Sequence, residues 1–235
     1  MRKFAIGDVH GCGKTLIHLV ENVLEITPQD SVYLLGDVID RGKNVVLALD
    51  WILEKRQAGY QIITLMGNHE EMLLENLAQA KNEEIGAEKR LRYWLKKNYL
   101  EAFFDKDFNF LPKYESYFQS LLPYVELESY ILVHAGLDLK GETLYDNKKA
   151  LFWNRNFKND LSKTNNKTVL FGHSVHGLEQ IKAAIEDQEP QIPLDNGCVY
   201  VNLEKYHQLC HQEIGFLCAF EMESRRLFYT PCLDK

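Results

Sequence analysis

The sequence predicts an α/β protein, and three observations carry that prediction. Short runs rich in β-branched and aromatic residues alternate with stretches whose apolar residues recur at helical spacing. Five of those runs lead, directly or through a glycine, to a side chain able to bind a metal. With 46% hydrophobic and 26% charged residues, a chain of 235 residues has ample apolar material for a core. Disordered, collagen-like and low-complexity classes are excluded.

Taken in order, Lys3-Phe4-Ala5-Ile6 is the first predicted strand and leads to Gly7-Asp8. A helix is expected from Lys14 to Leu24, where Leu16, Leu19, Val20, Val23 and Leu24 form one face. Val32-Tyr33-Leu34-Leu35 then leads to Gly36-Asp37, and Val45 to Ala58 repeats the helical pattern with Val45, Val46, Leu49, Ile52 and Leu53. Ile62-Ile63-Thr64-Leu65-Met66 leads to Gly67-Asn68-His69, Tyr130-Ile131-Leu132-Val133 to His134, and Thr168-Val169-Leu170-Phe171 to Gly172-His173. Continuous apolar runs of this length fit strands covered on both faces. Right-handed crossovers make such strands share a direction, so their C-terminal ends are expected on one sheet edge. There α/β proteins place their sites.

Residues 70–123 differ. That segment is largely helical, with breaks at Gly86 and Pro112, and mixes Arg90, Arg92, Lys96 and Lys97 with Tyr93, Trp94, Tyr99, Phe103 and Phe104. It reads as a helical insertion within a single domain spanning 1–235, its basic residues forming a solvated face. Strands are expected again at Cys198–Val201, Phe216–Phe220 and Arg226–Tyr229, in a second, more antiparallel sheet.

Lys and Arg total 27 against 34 Asp and Glu, a formal charge of −7 that disfavours binding to a nucleic-acid backbone. No apolar run approaches the ~20 residues of a membrane span, and the start turns polar at Gly7-Asp8, unlike a signal peptide. The five cysteines (Cys12, Cys198, Cys210, Cys218, Cys232) lack framework spacing, so reduced thiols and a soluble cytoplasmic protein are expected.

Asp8 and His10, two residues apart at a strand end, can both face one cation. Asp37 adds a carboxylate able to bridge two ions, Asn68 a neutral oxygen, and His134 and His173 two nitrogens. Singly, each has a bland reading as a turn residue or a satisfied core histidine. Six of them on the ends of five strands exceed turn chemistry. Mixed oxygen and nitrogen ligation suits Mn, Fe, Zn or Co and is poor for Ca. Two decoys fail. Gly11-Cys12-Gly13-Lys14-Thr15 ends like a phosphate loop, but the first glycine it needs would fall on Asp8. His207, Cys210 and His211, near Cys218, match no standard zinc finger. His176 is assigned a structural or exposed role.

Gly7-Asp8-Val9-His10-Gly11, Gly36-Asp37-Val38-Ile39-Asp40-Arg41-Gly42 and Gly67-Asn68-His69-Glu70 resemble the signature blocks of the calcineurin-like metallophosphoesterases. The middle block is similar to the phosphoprotein phosphatase branch, which includes bacterial and phage serine/threonine phosphatases and symmetrical diadenosine tetraphosphatases. Val133-His134-Ala135-Gly136, Trp153-Asn154-Arg155, Phe171-Gly172-His173-Ser174 and Leu194-Asp195-Asn196-Gly197-Cys198 follow in the order of the bacterial members, so the resemblance runs from about residue 4 to 203. It implies a two-sheet β-sandwich flanked by helices and a dinuclear centre of two divalent ions, Mn2+ first, with Fe, Zn, Co or Ni also accepted. Asp8, His10 and Asp37 would hold one ion, and Asp37, Asn68, His134 and His173 the other. A hydroxide bridging the ions would attack phosphorus, and His69, oriented by Asp40, would protonate the leaving oxygen. Arg41 and Arg155, with Asn68, would bind the phosphate.

The implied reaction is hydrolysis of phosphate monoesters, with a serine/threonine phosphoprotein as the first choice of substrate. A small phosphate substrate, diadenosine polyphosphate, is the runner-up, with Arg90–Lys97, Tyr93 and Trp94 as candidate clamps. A non-catalytic scaffold is the reading from another class, disfavoured because every ligand and the acid are present. Relatives usually carry Thr at the position of Asn196 and a Gly-Gly pair where Val201-Asn202 stands, so the 201–212 loop departs from the family pattern.

Overall fold

The computed structural model describes residues 1–82, 85–201 and 213–234. Strands β1 (Lys3–Ile6), β2 (Ser31–Leu34) and β3 (Gln61–Thr64) lie side by side and parallel, Phe4 opposite Val32 and Val32 opposite Ile62. Helices α1 (Gly13–His18) and α2 (Val45–Gln57) make the crossovers, and α1 runs on through a π-helical turn at Leu19–Val23. Alternate strand residues feed two cores. Phe4, Ile6, Val32 and Leu34 pack with Leu16, Leu19, Leu49 and Ile52. Ala5, Tyr33 and Leu35 turn the other way, onto Leu132, Leu170, Ile192 and Phe220. Both faces are covered, which is why these strands read as unbroken apolar runs rather than alternating ones. Each large side chain fully buried in this way contributes about 1.5–3 kcal/mol.

The second sheet runs β4 (Tyr124–Glu126), β5 (Tyr130–Val133), β6 (Thr168–Phe171) and β7 (Gln191–Pro193) in that order. β5, β6 and β7 are parallel, and β4 is antiparallel to β5. Helix α6 (Lys148–Trp153) falls between β5 and β6, and α7 (Leu178–Glu186) between β6 and β7. Ile131, Val133, Val169 and Phe171 look onto a third core containing Phe152 and Phe157. The ligand-bearing strands thus divide three and two between the sheets, instead of sharing one edge as expected from their alternation.

The tail strands also differ from expectation. β9 (Phe216–Glu221) pairs antiparallel with β1, Ala5 opposite Phe220, and with β10 (Arg226–Pro231), while the short β8 (Asp195–Asn196) adds to β9. They extend the first sheet and do not found the second. Cys198–Tyr200 is a 3-10 turn, not a strand. Gly197 stands at φ 67°, and its N–H donates to Asp195 Oδ1 at 2.8 Å, folding the chain back at that point.

The insertion is helical as expected: α3 (Asn68–Lys81), α4 (Ala87–Lys97) and α5 (Pro112–Gln119), with left-handed Gly86 before α4 and Pro112 opening α5. It begins inside a motif, because Asn68 is the first residue of α3. Leu91 and Leu95 are buried, while Arg92 faces solvent, paired with Glu88 at 2.8 Å and lying over the Phe108 ring. Among the described residues no helix is long and apolar enough to cross a membrane.

Candidate dinuclear metal centre

Each expected ligand leaves a strand end. Asp8 and His10 follow β1, Asp37 follows β2, Asn68 opens α3 after β3, His134 follows β5 and His173 follows β6. All six are buried. Asp37 stands at their middle. Its Oδ1 is 3.5 Å from His134 Nε2, and its Oδ2 is 3.5 Å from His10 Nε2. On the first side, Asn68 Oδ1 lies 3.0 Å from His134 Nε2 and 2.9 Å from His173 Nδ1. On the second, Asp8 Oδ2 lies 3.9 Å from His10 Nε2. Two groups therefore form in space, His10 with Asp37 and His69, and Asp37 with His134 and His173, with Asp8 beside the first and Asn68 beside the second.

The imidazoles are held in a ligating form. His10 Nδ1 is 3.1 Å from the carbonyl of Ile39, and His134 Nδ1 is 2.8 Å from that of Leu35. A carbonyl only accepts, so each Nδ1 carries the proton and each Nε2 turns its lone pair toward Asp37. Burial, with the Arg41 charge, lowers the His10 pKa, and burial lowers His134; burial, His134 and Arg155 bring His173 to about 3. Neutral imidazole is the state that binds a metal. Burial works against the Asp37 carboxylate, yet His134, His69, His10 and the His69 N–H hold it below the usual range. Asp8 is pushed well up by burial and by the carboxylates of Asp195 and Asp37. Lone pairs aimed at one another repel unless a cation lies among them, and the buried His173 Nε2 has no hydrogen-bond partner. Carboxylate, amide and imidazole donors in this arrangement fit two divalent ions.

The pair expected to act as acid, His69 and Asp40, is also in contact. His69 Nδ1 lies 2.6 Å from Asp40 Oδ2, and the His69 N–H donates to Asp37 Oδ1 at 2.9 Å. Burial pulls the His69 pKa down, but Asp37 and Asp40 outweigh it and the net shift is upward. Arg41 reaches His10 Nε2 with one guanidinium nitrogen and His69 Nε2, at 2.9 Å, with the other. Its cation thus stands between His10 and His69. The backbone is strained where it carries this chemistry: φ is 44° at His10, 47° at Asp37, 69° at Asp40 and Arg41, and 65° at His173. Two glycines make room for carboxylates. A Cβ on Gly67 would overlap Asp37, and one on Gly172 would overlap Asp8.

The sequence reading gave no role to Glu70, which the structure places under the whole assembly. Its carboxylate accepts from the N–H groups of Gly67 (3.0 Å), Asp37 (2.9 Å), Val38 (2.8 Å) and Ile39 (3.1 Å), tying the loop after β2 to the start of α3. Its signal was its place at the third residue of a helix opening on Gly67, where a glutamate commonly turns back. Asn196, the departure from the family pattern, donates to the carbonyls of His176 and Glu213 and accepts from Phe216 N. A threonine hydroxyl cannot make all three bonds. His176 turns its Nδ1 to the Ser174 carbonyl and its ring to Phe171, in keeping with a structural role.

Arg155 is not among the clustered ligands. It is exposed and lines a groove of about 710 Å³ together with Asp138, Lys140, Lys149, Trp153 and Lys158. The Trp153 ring is 37% exposed, lies 6.4 Å from the His173 ring, and donates its Nε1–H to Glu71 at 2.7 Å. The groove therefore adjoins the second ligand set. The 201–212 loop and the His207, Cys210 and His211 group lie, apart from Val201, outside the described residues.

Residues 1–201 match the family model described as calcineurin-like phosphoesterase. The chain is a calcineurin-like phosphoesterase. Among similar proteins of this class are symmetrical bis(5'-nucleosyl)-tetraphosphatases. That of Pasteurella multocida is 27% identical over 58% of this chain and 45% of its own length. That of Cronobacter sakazakii is 39% identical over 32% and 25% respectively. The phosphoesterase thus spans less than half the length of these curated relatives. A solved putative diadenosine tetraphosphatase superposes with TM-score 0.65 at 18% identity, covering 100% of this chain and 95% of that one. A protein serine/threonine phosphatase from Saccharomyces cerevisiae gives 0.61 at 13%, covering 100% and 81%. Both share the two-sheet fold of this phosphoesterase.

Proposed function

We propose that this phosphoesterase is a two-metal hydrolase of dinucleoside polyphosphates, with symmetrical diadenosine tetraphosphate as the reference substrate. The observation that carries the reading is the groove beside His173. In a chain with 27 cationic and 34 anionic residues, four cations (Lys140, Lys149, Arg155 and Lys158) and one carboxylate, Asp138, line it around an accessible indole. A polyphosphate needs several positive charges, and an adenine needs an aromatic face. The names of the similar proteins point the same way, so the runner-up reading of the sequence replaces its first choice of a phosphoprotein.

Asp8, His10 and Asp37 would hold one divalent ion, and Asp37, Asn68, His134 and His173 the other, Mn2+ being the first metal to test. When bound, such a pair supplies Lewis acidity and a water made nucleophilic at neutral pH. Arg41 and Arg155 would grip non-bridging oxygens with their planar forks. His69, its Nδ1–H fixed on Asp40, would give a proton from Nε2 to the departing oxygen once Arg41 has turned from that nitrogen to the phosphate. The thiols of Cys12, Cys198, Cys218 and Cys232 are free, which supports a reducing compartment such as the cytoplasm.

The test is turnover with Mn2+ of diadenosine tetraphosphate against phosphoserine and phosphothreonine peptides, with Asp37→Asn as the control. A higher kcat/KM for the dinucleotide, with ADP as the product, is expected. A higher value for the peptides would restore the phosphoprotein reading. Failure to hydrolyse either, or an Asp37→Asn variant as active as the parent, would remove the hydrolase reading altogether.

A further inference from the structure

Three thiols converge away from the oxygen and nitrogen ligands. Cys12 precedes α1, Cys198 opens the 3-10 turn after Gly197, and Cys232 follows β10. They come from distant parts of the chain, yet their sulfurs all lie within 4.8 Å of one another, and Cys12 Sγ is 3.9 Å from Cys232 Sγ. All three are at most 4% exposed. Buried cysteines are often plain apolar packers, and Cys218, set among Leu170, Leu194 and Phe220, is one. Packing alone does not require three sulfurs to face one another.

The geometry suits a metal. Tetrahedral zinc at about 2.3 Å from each sulfur sets neighbouring sulfurs about 3.8 Å apart, close to the Cys12–Cys232 separation. The sulfur at position 232 is also delivered by a fixed segment. Cys232 N–H donates to the Gly215 carbonyl at 2.9 Å, and Leu233 N–H to Thr15 Oγ1 at 2.9 Å. The Asp234 carboxylate accepts from Lys14 N (3.0 Å), Thr15 N (2.9 Å), Thr15 Oγ1 (2.6 Å) and Asn44 Nδ2 (2.7 Å). The first turn of α1 is thereby tied to the segment that carries Cys232. A third ligand held in advance lowers the ordering cost of closing a metal site.

We propose that Cys12, Cys198 and Cys232 form a second, all-sulfur site for a thiophilic d10 cation of the zinc class. Each thiol gives up its proton to solvent on ligation, and the fourth position goes to a water or small anion. Mn2+ favours the oxygen and nitrogen centre, whereas three thiolates favour Zn2+ over Mn2+, although Zn2+ also suits the first centre. The bound ion staples the C-terminal tail to the loop that carries His10 and to the turn after Asp195. The site does not depend on which phosphate compound the enzyme hydrolyses.

The experiment uses the full chain, reduced and stripped of metal. On titration with Co2+, we expect strong near-ultraviolet thiolate-to-cobalt charge-transfer absorption that saturates with one ion, because the other centre contains no sulfur. Zn2+ in excess should displace that ion and raise Tm by about 5 °C through preferential binding to the native state. Cys232→Ser and, separately, Cys198→Ser should abolish the band and reduce the Zn2+-induced Tm shift to what the oxygen and nitrogen centre supplies, while Cys218→Ser keeps both in full. Two variants at separate sites guard against one that fails to fold. Absorption lacking the sulfur band in the parent protein, or a band unchanged in Cys232→Ser, would overturn the proposal. So would an intact mass two hydrogen atoms lower, with no bound metal, in protein purified in air without reductant, which would mark an oxidised Cys pair in place of a metal site.

Discussion

Replacing Glu70 tests whether one buried carboxylate organises the centre from beneath. Its four accepted bonds, from Gly67, Asp37, Val38 and Ile39, run to backbone N–H groups that have no water to turn to. In Glu70→Gln one oxygen keeps two donors, while the new amide sets its own N–H groups against the other two. Bonds to a charged acceptor are worth about 1.5–3 kcal/mol each, so losing two costs about 3–6 kcal/mol. Glu70→Ala strands all four donors and opens a void, so it should cost more. Set against the ~5–15 kcal/mol of a typical domain, the glutamine variant folds with a lowered urea midpoint and the alanine variant is marginal. Asp37 sits in the strained turn that these bonds fix, at φ 47°, so turnover per folded molecule should also fall, by about 100-fold for a displacement of 1 Å. The assays are urea denaturation with matched m-values and Mn2+-dependent turnover of p-nitrophenyl phosphate. A Glu70→Gln protein within about 1 kcal/mol of the parent and equally active would refute the reasoning.

His69→Asn should spare metal content but slow an alkyl phosphate ester by about 10²–10⁴, and p-nitrophenyl phosphate far less, since a phenolate barely needs protonation. Equal losses on both substrates would deny His69 the role of acid. Gly172→Ala drives a methyl group into the Asp8 carboxylate, which accepts from His173 N at 3.0 Å, and should weaken metal binding by about 10–100-fold in a Mn2+ titration. An unchanged affinity would place Asp8 outside the centre. Asp30 accepts from Arg2 NH2 (2.8 Å) and Thr27 N (3.0 Å), and the Arg2 guanidinium holds its carboxyl well below the usual range. A pKa lowered in the folded state gives stability that is present above the unfolded value near 3.9 and lost as pH falls below it. Asp30→Asn should therefore cost about 1–3 kcal/mol at pH 7, with the gap starting to narrow below about pH 4 and closing only at strongly acidic pH, and parallel stability curves would contradict this.

Much of the centre was legible because each ligand follows an apolar run that can only be a buried strand. Strand ends are places where a short polar residue must have a reason. Asp8, His10, Asp37, Asn68, His134 and His173 stood out in that way, their expected roles came from the family blocks, and the structure brings their side chains together. Glu70 was less visible. A glutamate at the start of a helix is ordinary, and only the folded loop shows that its partners are the N–H groups of the turn carrying Asp37. Arg155 was named from a short block, but the cationic groove around it draws on residues from Asp138 to Lys158 that have no pattern along the chain. The strand expected at Cys198–Val201 gave way to a turn because Asp195 captures the Gly197 N–H, a local bond that outcompetes β-propensity.

By itself, the sequence determined the class of structure, the identity of the buried strands and the chemical nature of the ligands, because hydrophobic periodicity and donor type are properties of residues read in line. Only the tertiary structure decided which sheet each strand joined, that Asp37 divides its two oxygens between two clusters, and that three remote cysteines face one another. Those are distances between parts of the chain far apart in order. They follow from how two sheets and their crossovers close around shared cores, which no local pattern encodes.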